Sequence, residues 1–312
     1  MPATTPIPRE LPPTTVIICS RNRPRLLQET VASVLSGQKA PNELLVVDQS
    51  DSPNPALAQM KGDARCHVRY RRSESIGLSR ARNIGIAEAR YELIAIIDDD
   101  MLVEFSWFDV LIRRLCDAGD GSVVTGCVLP ATAEVPGAFV PAVVTSTVPA
   151  VYAGRIGTDV LAGGHMATFR SLLQSVGGFD ERLGPGSAFA AAEDNDLGFR
   201  LLENGARILY VPDAIVYHRA WRRKREYLRM RWNYGLGKGG FYTKHLSFTD
   251  RYMLRRVVWD IWHRIVRLPR QLVAAPRQTV GDVIYIGGIV VGAIRWLVTH
   301  GRQKQPRAQA VE

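Results

Sequence analysis

Short apolar runs alternate with amphipathic stretches over the first two thirds of the chain. Runs of β-branched and aliphatic residues are typical of buried strands, and they fall at 14–19, 42–48, 67–71, 92–98 and 122–130. Between them apolar residues recur at helical spacing, most clearly at 23–37, 79–89 and 106–115, with Ser79 as an expected N-cap. Strands that alternate with helices predict right-handed βαβ units and a mainly parallel sheet flanked by helices.

The pattern continues to His218 and then changes. A strand is predicted at 163–170, a helix at 193–205 and a returning strand at 207–218, whereas 131–158 fits no element. Residues 219–244 are rich in Arg, Lys, Trp and Tyr, a mixture suited to nucleic acid, sugar stacking or anionic lipid, or to an ordinary amphipathic helix. The uncharged apolar run 283–294 is shorter than the roughly 20 residues that a spanning helix requires, so we expect an interfacial or packed helix.

Composition narrows the class of protein. With 312 residues, 46% of them hydrophobic, the chain can bury a core as one large domain or two modest ones. A net charge of +10 favours an anionic partner. Four cysteines without C-x-x-C spacing indicate neither a zinc site nor a disulfide framework, which suits a reducing compartment. Residues 1–13 have no secretory signal pattern and are expected to form a flexible tail.

Acidic residues follow two predicted strands directly. Asp48 ends one strand, and the adjacent Asp98, Asp99 and Asp100 end another, so all four are expected at the edge where parallel sheets place their ligands. Adjacent carboxylates repel one another near apolar walls unless a cation neutralises them. Mg²⁺ or Mn²⁺ with a diphosphate suits such a group. The alternative is a solvated acidic turn, because short motifs have many false matches.

Seven segments in order along the chain carry a family resemblance. They are VIICSRNRP, LLVVDQSD, GLSRARNIGIAEA with LIAIIDDDM, AGGHMATFRSLLQSVGGFDERL, AAEDNDLGFRLLENG and VYH. Together they lie between residues 14 and 218 and resemble family 2 glycosyltransferases. That resemblance implies the GT-A fold, a Rossmann-like α/β architecture, here with a C-terminal basic helical extension.

The resemblance assigns roles around the donor nucleotide. Asp48 resembles the residue that accepts hydrogen bonds from the base, and Arg82 the arginine that lines the nucleotide pocket. Asp98 and Asp100 match the ends of the family's D-x-D motif, so Asp98 would face the ribose and Asp100 would ligate the metal, with Asp99 sharing either task. The resemblance also implies that His218, in VYH, reaches the same cation together with Asp98 and Asp100. The alternative for each of these residues is a purely structural role.

The resemblance also implies an acidic pair at the site of transfer. Inverting transfer needs a carboxylate that takes the proton of the acceptor hydroxyl as the nucleoside diphosphate departs. Glu193 and Asp194 match that pair, and Asp194 is the predicted base, although Asp196 leaves the choice open. The alternative is that these carboxylates only complement the dipole of a helix.

Donor and acceptor contacts are expected from two further segments. Gly163 and Gly164 would allow close backbone approach to a sugar, or serve only a turn, and His165 would line the acceptor side. The segment YGLGKGGF lacks a phosphate-loop motif. By resemblance it is expected to be mobile and to close over the diphosphate. The predicted phosphate contacts are Lys238 within this segment and Arg229 and Arg231 just before it.

The sequence therefore predicts a metal-dependent inverting glycosyltransferase with Mn²⁺ or Mg²⁺ as cofactor. Its partners would be a nucleotide-diphosphate sugar, a glycan or lipid-linked hydroxyl acceptor and an anionic membrane surface, with nucleic acid not expected, in a cytoplasmic, peripheral membrane location. The predicted domain is 14–220, with a nucleotide half at 14–100 and an acceptor half at 101–220, followed by a helical region at 221–312. The alternatives are a non-catalytic basic binding module and a retaining transferase of the same fold.

Overall fold

The chain divides into two compact units. The computed structural model describes residues 10–134, 136–219 and 221–301, so most of the predicted flexible tail lies outside the described residues. Unit one contains the chain up to residue 181 together with 193–224, and unit two contains 182–192 together with the chain from 225. The division after residue 224 falls four residues beyond the predicted boundary. We call residues 182–192 the excursion, because they belong to unit two although unit one resumes at residue 193. The sequence did not predict this excursion.

Unit one is built around one sheet. In the described residues it has nine strands in the order β3-β2-β1-β4-β8-β6-β9-β5, and β7 pairs with β9. The strands are β1 (Thr14–Ser20), β2 (Glu43–Asp48), β3 (His67–Arg72), β4 (Leu93–Asp98), β5 (Met101–Val103), β6 (Ser122–Pro130), β7 (Ala150–Ala153), β8 (His165–Phe169) and β9 (Arg207–His218). The helices are α1 (Pro24–Leu35), α2 (Pro55–Gln59), α3 (Leu78–Glu88), α4 (Trp107–Ala118), α5 (Arg170–Ser175) and α6 (Glu193–Glu203).

Pairing in the sheet is parallel in its first half and mixed in its second. Strands β3, β2, β1 and β4 run parallel, and so do β6 and β9, whereas β8 lies antiparallel between β4 and β6. Ser20 pairs in register with Asp48, and Cys19 pairs with Asp98. The parallel half therefore brings the ends of β1, β2 and β4 to one edge.

Both faces of the sheet are covered, which explains the nearly unbroken apolar strands. Alternate residues of β1 point to opposite sides, with Val16 and Ile18 in one core and Ile17 in the other. Helices α1 and α4 supply side chains to the first core, and α3, α5 and α6 supply the second. The sheet between these two layers is the rigid element that holds the site.

Several local elements differ from expectation or were missed. Helix α3 begins at Leu78 after Gly77, which has φ 129°, so Ser79 is a buried first-turn residue and not the cap. The short strands β5 and β7 and the five-residue α2 were not predicted, and β7 lies in the unassigned stretch 131–158. Three- to five-residue elements give too few positions for a periodic pattern.

Unit two contains α7 (Tyr227–His245), α8 (Tyr252–Ala274) and α9 (Pro276–His300). The length argument made from the run 283–294 was wrong, because that run is the middle of α9, a helix of 25 residues. Among the described residues α9 alone is long and apolar enough to cross a membrane by length and composition, with a mean hydropathy of 1.6. Charged and polar residues near both ends of α9 had hidden its true length.

Helices α7 and α9 approach each other through glycine. A methyl group at Gly235 would lie 2.2 Å from the Tyr285 carbonyl oxygen, and one at Gly239 would lie 2.2 Å from that of Ile289. From the other side, a methyl group at Gly292 would lie 2.2 Å from the Leu236 carbonyl oxygen. The expectation that YGLGKGGF is a mobile segment is therefore corrected, since its glycines are buried in a close helix crossing.

Candidate functional site

The acidic residues of β4 lie in the tight turn that leads into β5. Strand β5 pairs antiparallel with the end of β9, so Met101 lies opposite His218. This pairing brings Asp100 Oδ1 to 3.3 Å from His218 Nε2. The turn therefore joins an acidic edge and a histidine that are more than a hundred residues apart in sequence.

Each aspartate of the turn has a cationic or hydroxyl partner. Asp98 accepts a hydrogen bond of 2.7 Å from Arg82 Nη2. Asp99 accepts one of 2.6 Å from the Ser20 hydroxyl, and Arg23 Nη1 lies 3.0 Å from Asp99 Oδ1 and 2.8 Å from Asp100 Oδ2. Protein side chains thus supply part of the positive charge that the sequence assigned wholly to a metal.

Asp99 and Asp100 have different pKa values because their surroundings differ. Burial raises the pKa of Asp99 to about 6 against the opposing effect of Arg23, and the neighbouring Asp100 adds to the rise. Burial would also raise the pKa of Asp100, but the hydrogen bond and charge of His218, with Arg23, bring it below the usual range. The pKa of His218 is raised in turn, because Asp100 outweighs burial. Asp100 and His218 therefore form a charged pair.

Arg23 was not singled out from the sequence. Asn22, with φ 56°, turns the chain after β1, and its backbone N–H donates to the Ser50 hydroxyl at 2.7 Å. Pro24 then opens α1, which fixes the direction of the arginine between them. The available signal was an arginine immediately after the first strand in VIICSRNRP, opposite the acidic strand end.

Arg82 is the buried centre of the site. Its side chain is 2% exposed, and its Nη1 lies 3.6 Å from Glu193 Oε1 while Nη2 binds Asp98. The guanidinium also lies 5.0 Å from the centre of the Phe179 ring. Burial would lower the pKa of Arg82, but Asp98 and Glu193 raise it, so the group stays charged. One cation thus links the acidic turn to the acidic pair of α6.

The acidic pair itself is asymmetric. Glu193 is buried, and burial together with the Asp194 charge raises its pKa to about 7, with Arg82 opposing the rise. Asp194 is half-buried, and its Oδ1 accepts a hydrogen bond from the Asn195 backbone N–H at 2.8 Å. The residue before the pair, Ala192, has φ 73°, a conformation that costs a non-glycine residue free energy and is frequent at functional sites.

Asp196 is a structural residue. It is fully buried and bonded to Arg200 Nε at 2.8 Å, and Arg200 also donates to the backbone carbonyls of Val176 and Gly178. This ion pair ties α6 to the turn after α5. The burial of Asp196 and this ion pair favour Asp194 over Asp196 as the predicted base.

Gly163 and Gly164 are required by the neighbouring carboxylates. A methyl group at Gly164 would lie 2.0 Å from Asp98 Oδ2, and one at Gly163 would lie 2.9 Å from Asp194 Cβ and 3.2 Å from Arg82 Nη1. These two positions pack against the acidic turn, the arginine and the acidic pair. The absent side chains are what allow the three groups to converge.

Asp48 lies at the same edge but is occupied by protein groups. Tyr70 Oη donates to Asp48 Oδ2 at 2.6 Å, and the backbone N–H of Ser50 donates to Oδ1 at 2.9 Å. Asp48 is 1% exposed. A base that bonded to Asp48 would therefore compete with Tyr70.

The expectation that His165 lines an acceptor surface is corrected. His165 is fully buried in β8, and its Nε2 accepts a hydrogen bond of 2.8 Å from Trp107 Nε1. Burial lowers the pKa of His165 to about 3, so it is neutral. A polar residue after two glycines resembled a site residue, but the strand register turns this side chain into the core.

This buried imidazole gives unit one a defined response to acid. The unfolded chain binds a proton on His165 below pH 6.5, and the native chain does so only near pH 3, so the free energy of unfolding falls as the pH drops through that window. At pH 5 the loss amounts to roughly 2 kcal/mol, since one pKa unit corresponds to about 1.4 kcal/mol.

His165→Gln removes this titration, and urea unfolding at pH 7 and pH 5 measures the effect. We expect the difference in unfolding free energy between wild type and variant to shrink by roughly 2 kcal/mol at pH 5. Comparing the two proteins at each pH cancels the other titrating groups. A difference that does not change with pH would contradict the assignment.

A divalent cation fits the donor chemistry of the turn in part. Among the described residues, no group of three His, Cys, Asp or Glu side chains is arranged to hold a metal ion. Asp100 and His218 do lie together, and carboxylate and imidazole donors suit Mn²⁺. Arg23 stands where a cation neutralises Asp99 and Asp100. Two of the three predicted ligands are therefore adjacent, while Asp98 is bound by Arg82.

The three predicted phosphate contacts of α7 belong to unit two. Arg231 binds Asp282 at 2.6 Å, and the Lys238 ammonium lies 5.1 Å from the rings of Phe241 and Tyr242. Arg229 is exposed. The aspartates, Arg23, Arg82 and the acidic pair described above all belong to unit one.

Two family models match the chain. "Glycosyl transferase family 2" matches residues 15–143, and "Glycosyl transferase family group 2" matches residues 93–297, more than half of the chain. The chain belongs to glycosyltransferase family 2. The two matches together cover the acidic turn, the acidic pair and most of unit two.

Curated relatives agree with the family. The chain is 28% identical over 238 residues to the pre-mycofactocin glycosyltransferase of Mycobacterium tuberculosis, covering 74% of this chain and 48% of the relative. It is also 28% identical over 230 residues to the glucosyl-dolichyl phosphate glucuronosyltransferase of Haloferax volcanii, covering 68% and 71%. The chain spans about half the length of the first of these relatives.

Solved structures show the same fold. A mannosyltransferase from Pyrobaculum calidifontis in complex with GDP-Man and Mn²⁺ superimposes with a TM-score of 0.63 at 17% identity, covering 92% of this chain and 89% of that chain. GalNAc-T7 with UDP, GalNAc and Mn²⁺ gives a TM-score of 0.53 at 18% identity, covering 81% and 55%. The predicted GT-A fold class is thereby confirmed.

Proposed function

We propose that this family 2 glycosyltransferase moves a sugar from a nucleotide-diphosphate donor to a hydroxyl acceptor with inversion, assisted by a divalent metal. One observation carries the proposal: Arg82 contacts both Asp98 of the acidic turn and Glu193 of the acidic pair. A guanidinium is only a few ångströms wide. One sugar can therefore reach from the donor diphosphate at the turn to the acidic pair.

The donor is proposed to bind along the edge formed by β1, β2 and β4. Asp48 would accept hydrogen bonds from the base, and Asp98 and Asp99 would face the ribose. Arg23, the most exposed cation of the turn at 40%, is free to exchange a carboxylate partner for a phosphate oxygen. Because residues 163 and 164 are glycines, only backbone lies beside Asp98 and Asp194, where a side chain would clash with them.

Asp194 is proposed as the general base. Glu193 is buried and paired with Arg82, whereas Asp194 is half-buried and has one oxygen bound by a backbone N–H. In the reaction Asp194 takes the proton of the acceptor hydroxyl as that oxygen bonds to the anomeric carbon from the face opposite the donor oxygen. The bond to the nucleoside diphosphate breaks with its electron pair, which leaves on the diphosphate.

Asp100 and His218, with Asp98, are proposed to hold Mn²⁺ or Mg²⁺, which would compensate the charge that develops on the departing diphosphate. The chain's own groups prepare this site, because Ser20 and Arg23 fix Asp99 and because His218 Nε2, which would give up its proton to bind the cation, lies 3.3 Å from Asp100 Oδ1. The solved structures with Mn²⁺ support this choice of cofactor.

The acceptor is proposed to be a glycan or a lipid-linked sugar. The Haloferax relative is named for a dolichyl phosphate sugar, and a Pasteurella multocida relative is named chondroitin synthase. A cytoplasmic location at the membrane face is proposed with it, supported by the net charge of +10 and by α9.

A thermal-shift screen of nucleotide sugars with and without Mn²⁺ tests the proposal. The true donor should raise the unfolding temperature in the presence of Mn²⁺, since a ligand at 100 times its Kd stabilises the native state by about 2.7 kcal/mol. Asp100→Asn should abolish the Mn²⁺-dependent part. Glu104→Gln, on a partly exposed carboxylate bonded to Ser106, is the matched control and should bind as wild type does. A donor shift that ignores both Mn²⁺ and Asp100→Asn would contradict the metal assignment.

A further inference from the structure

Helix α8 turns its apolar face outward. Leu254, Val258, Trp262 and Ile265 follow one another at intervals of four, four and three residues, which places them on one stripe. Trp259, Val266 and Val273, at intervals of seven, widen that stripe. All seven side chains are exposed, between 43% for Ile265 and 88% for Val273.

The opposite face of α8 is charged and turned inward. Asp260 accepts hydrogen bonds from Tyr242 Oη at 2.8 Å and from Tyr285 Oη at 2.9 Å. Arg264 binds Asp260 at 3.1 Å and Asp282 at 2.9 Å, and Asp282 also binds Arg231. This network joins α7, α8 and α9 in the interior of unit two.

Helix α9 shows the same inversion. Its exposed side chains include seven large apolar ones, namely Val280, Val283, Val290, Val291, Ile294, Leu297 and Val298. Its buried face carries Thr279, Asp282, Tyr285 and the glycines of the α7 crossing. More than half of the exposed large hydrophobic side chains in the described residues lie on α8 and α9.

A water-soluble helix buries its apolar stripe and exposes its charges. The reverse arrangement is typical of protein in hydrocarbon, where ionisable residues face the interior and pair with one another, and where helices cross on glycine. We propose that the exposed faces of α8 and α9 are embedded in the acyl chains of an anionic phospholipid bilayer. This goes beyond peripheral adsorption and does not depend on the proposed transfer reaction.

Charge favours lipid over a protein partner or a second copy of this chain. The exposed charged residues of α8 and α9 include six arginines, namely Arg251 at the start of α8, Arg255, Arg267, Arg270, Arg277 and Arg295. From residue 246 to 301 the acidic residues are Asp250, Asp260 and Asp282, and the last two are inside the network. Like charge opposes self-association of these faces, whereas anionic headgroups match arginine beside Trp259 and Trp262.

Flotation of the full chain with vesicles of phosphatidylcholine and phosphatidylglycerol tests the proposal. Wild type should float at 0.1 M and at 1 M NaCl, because at 1 M the Debye length falls to about 3 Å and only apolar insertion persists. Val258→Asp with Val291→Asp should lower the partition coefficient at least tenfold. Val143→Asp with Val148→Asp, on exposed valines of unit one, is the matched control and should float as wild type does.

Brominated acyl chains provide a second readout on the folded protein. They should quench tryptophan emission, and Trp259→Phe with Trp262→Phe should remove most of the quenching without preventing flotation. Release at 1 M NaCl, or flotation without quenching, would reduce the contact to surface adsorption and overturn the proposal. A stable soluble dimer that ignores vesicles would assign the faces to a second copy instead.

Discussion

Asp194→Asn is expected to lower kcat about a thousandfold while leaving donor binding nearly unchanged. General base catalysis contributes roughly a hundredfold to ten thousandfold, and an amide cannot take the proton of the acceptor hydroxyl. Donor affinity should persist because the predicted nucleotide contacts are Asp48, Arg82, Asp98 and Asp99 and not Asp194. Steady-state kinetics give kcat, and thermal shift with the donor and Mn²⁺ gives affinity.

Glu193→Gln is the companion variant. Glutamine has nearly the same shape as the Glu193 side chain but lacks the charge that faces Arg82. If it loses more activity than Asp194→Asn at equal folding stability, the two roles are exchanged, as a pKa of about 7 on Glu193 would allow. NMR of the product decides the stereochemistry, and a retained anomer would rule out Asp194 as a simple base.

Arg82→Met is expected to lower the free energy of unfolding by about 3–5 kcal/mol, the range for removing one partner of a buried ion pair. The side chain is 2% exposed, and its loss leaves the Glu193 carboxylate buried without its cation and takes the same cation from Asp98. Urea unfolding followed by tryptophan emission measures the change. Raising the pH should deepen the loss, since Glu193 ionises near neutrality.

Arg80→Met is the matched control two residues away on the same helix. Arg80 is half-exposed and pairs with Glu181 at 3.0 Å, so its loss should cost less than about 1 kcal/mol. Equal losses for the two variants would mean that helix propensity, and not the buried network, sets the stability. If Arg82→Met does not fold, Arg82→Lys retains the charge and should recover part of the difference.

The sequence predicted the acidic edge of the site because a β-strand's burial and end are local properties. The run 92–98 and the aspartates after it define a strand end, and the order of strands and helices selects the fold class. The parallel register then places Asp48 and Asp98 at the edge that the pattern implies. The start of helix α6 at Glu193 was predicted in the same way, because three acidic residues lie in its first turn.

What the sequence could not predict depends on pairing across long separations. The contact between Asp100 and His218 requires β5, a strand of three residues. Arg23 reaches the acidic turn from a bend in which Asn22 has positive φ, a conformation that the residue pattern does not predict. The inverted polarity of α8 cannot be predicted from periodicity, which shows that a helix is amphipathic and not which face is buried.

The excursion 182–192 affects how the chain can be divided experimentally. Leu183 and Phe189 are fully buried, and they form one apolar cluster with Leu236 and Trp296 of unit two. A truncated protein that stops after residue 224 would keep the first two side chains and lose the other two. In such a fragment the apolar side chains just before Glu193 would be exposed to water, which would favour aggregation. Both units should therefore be expressed as one polypeptide.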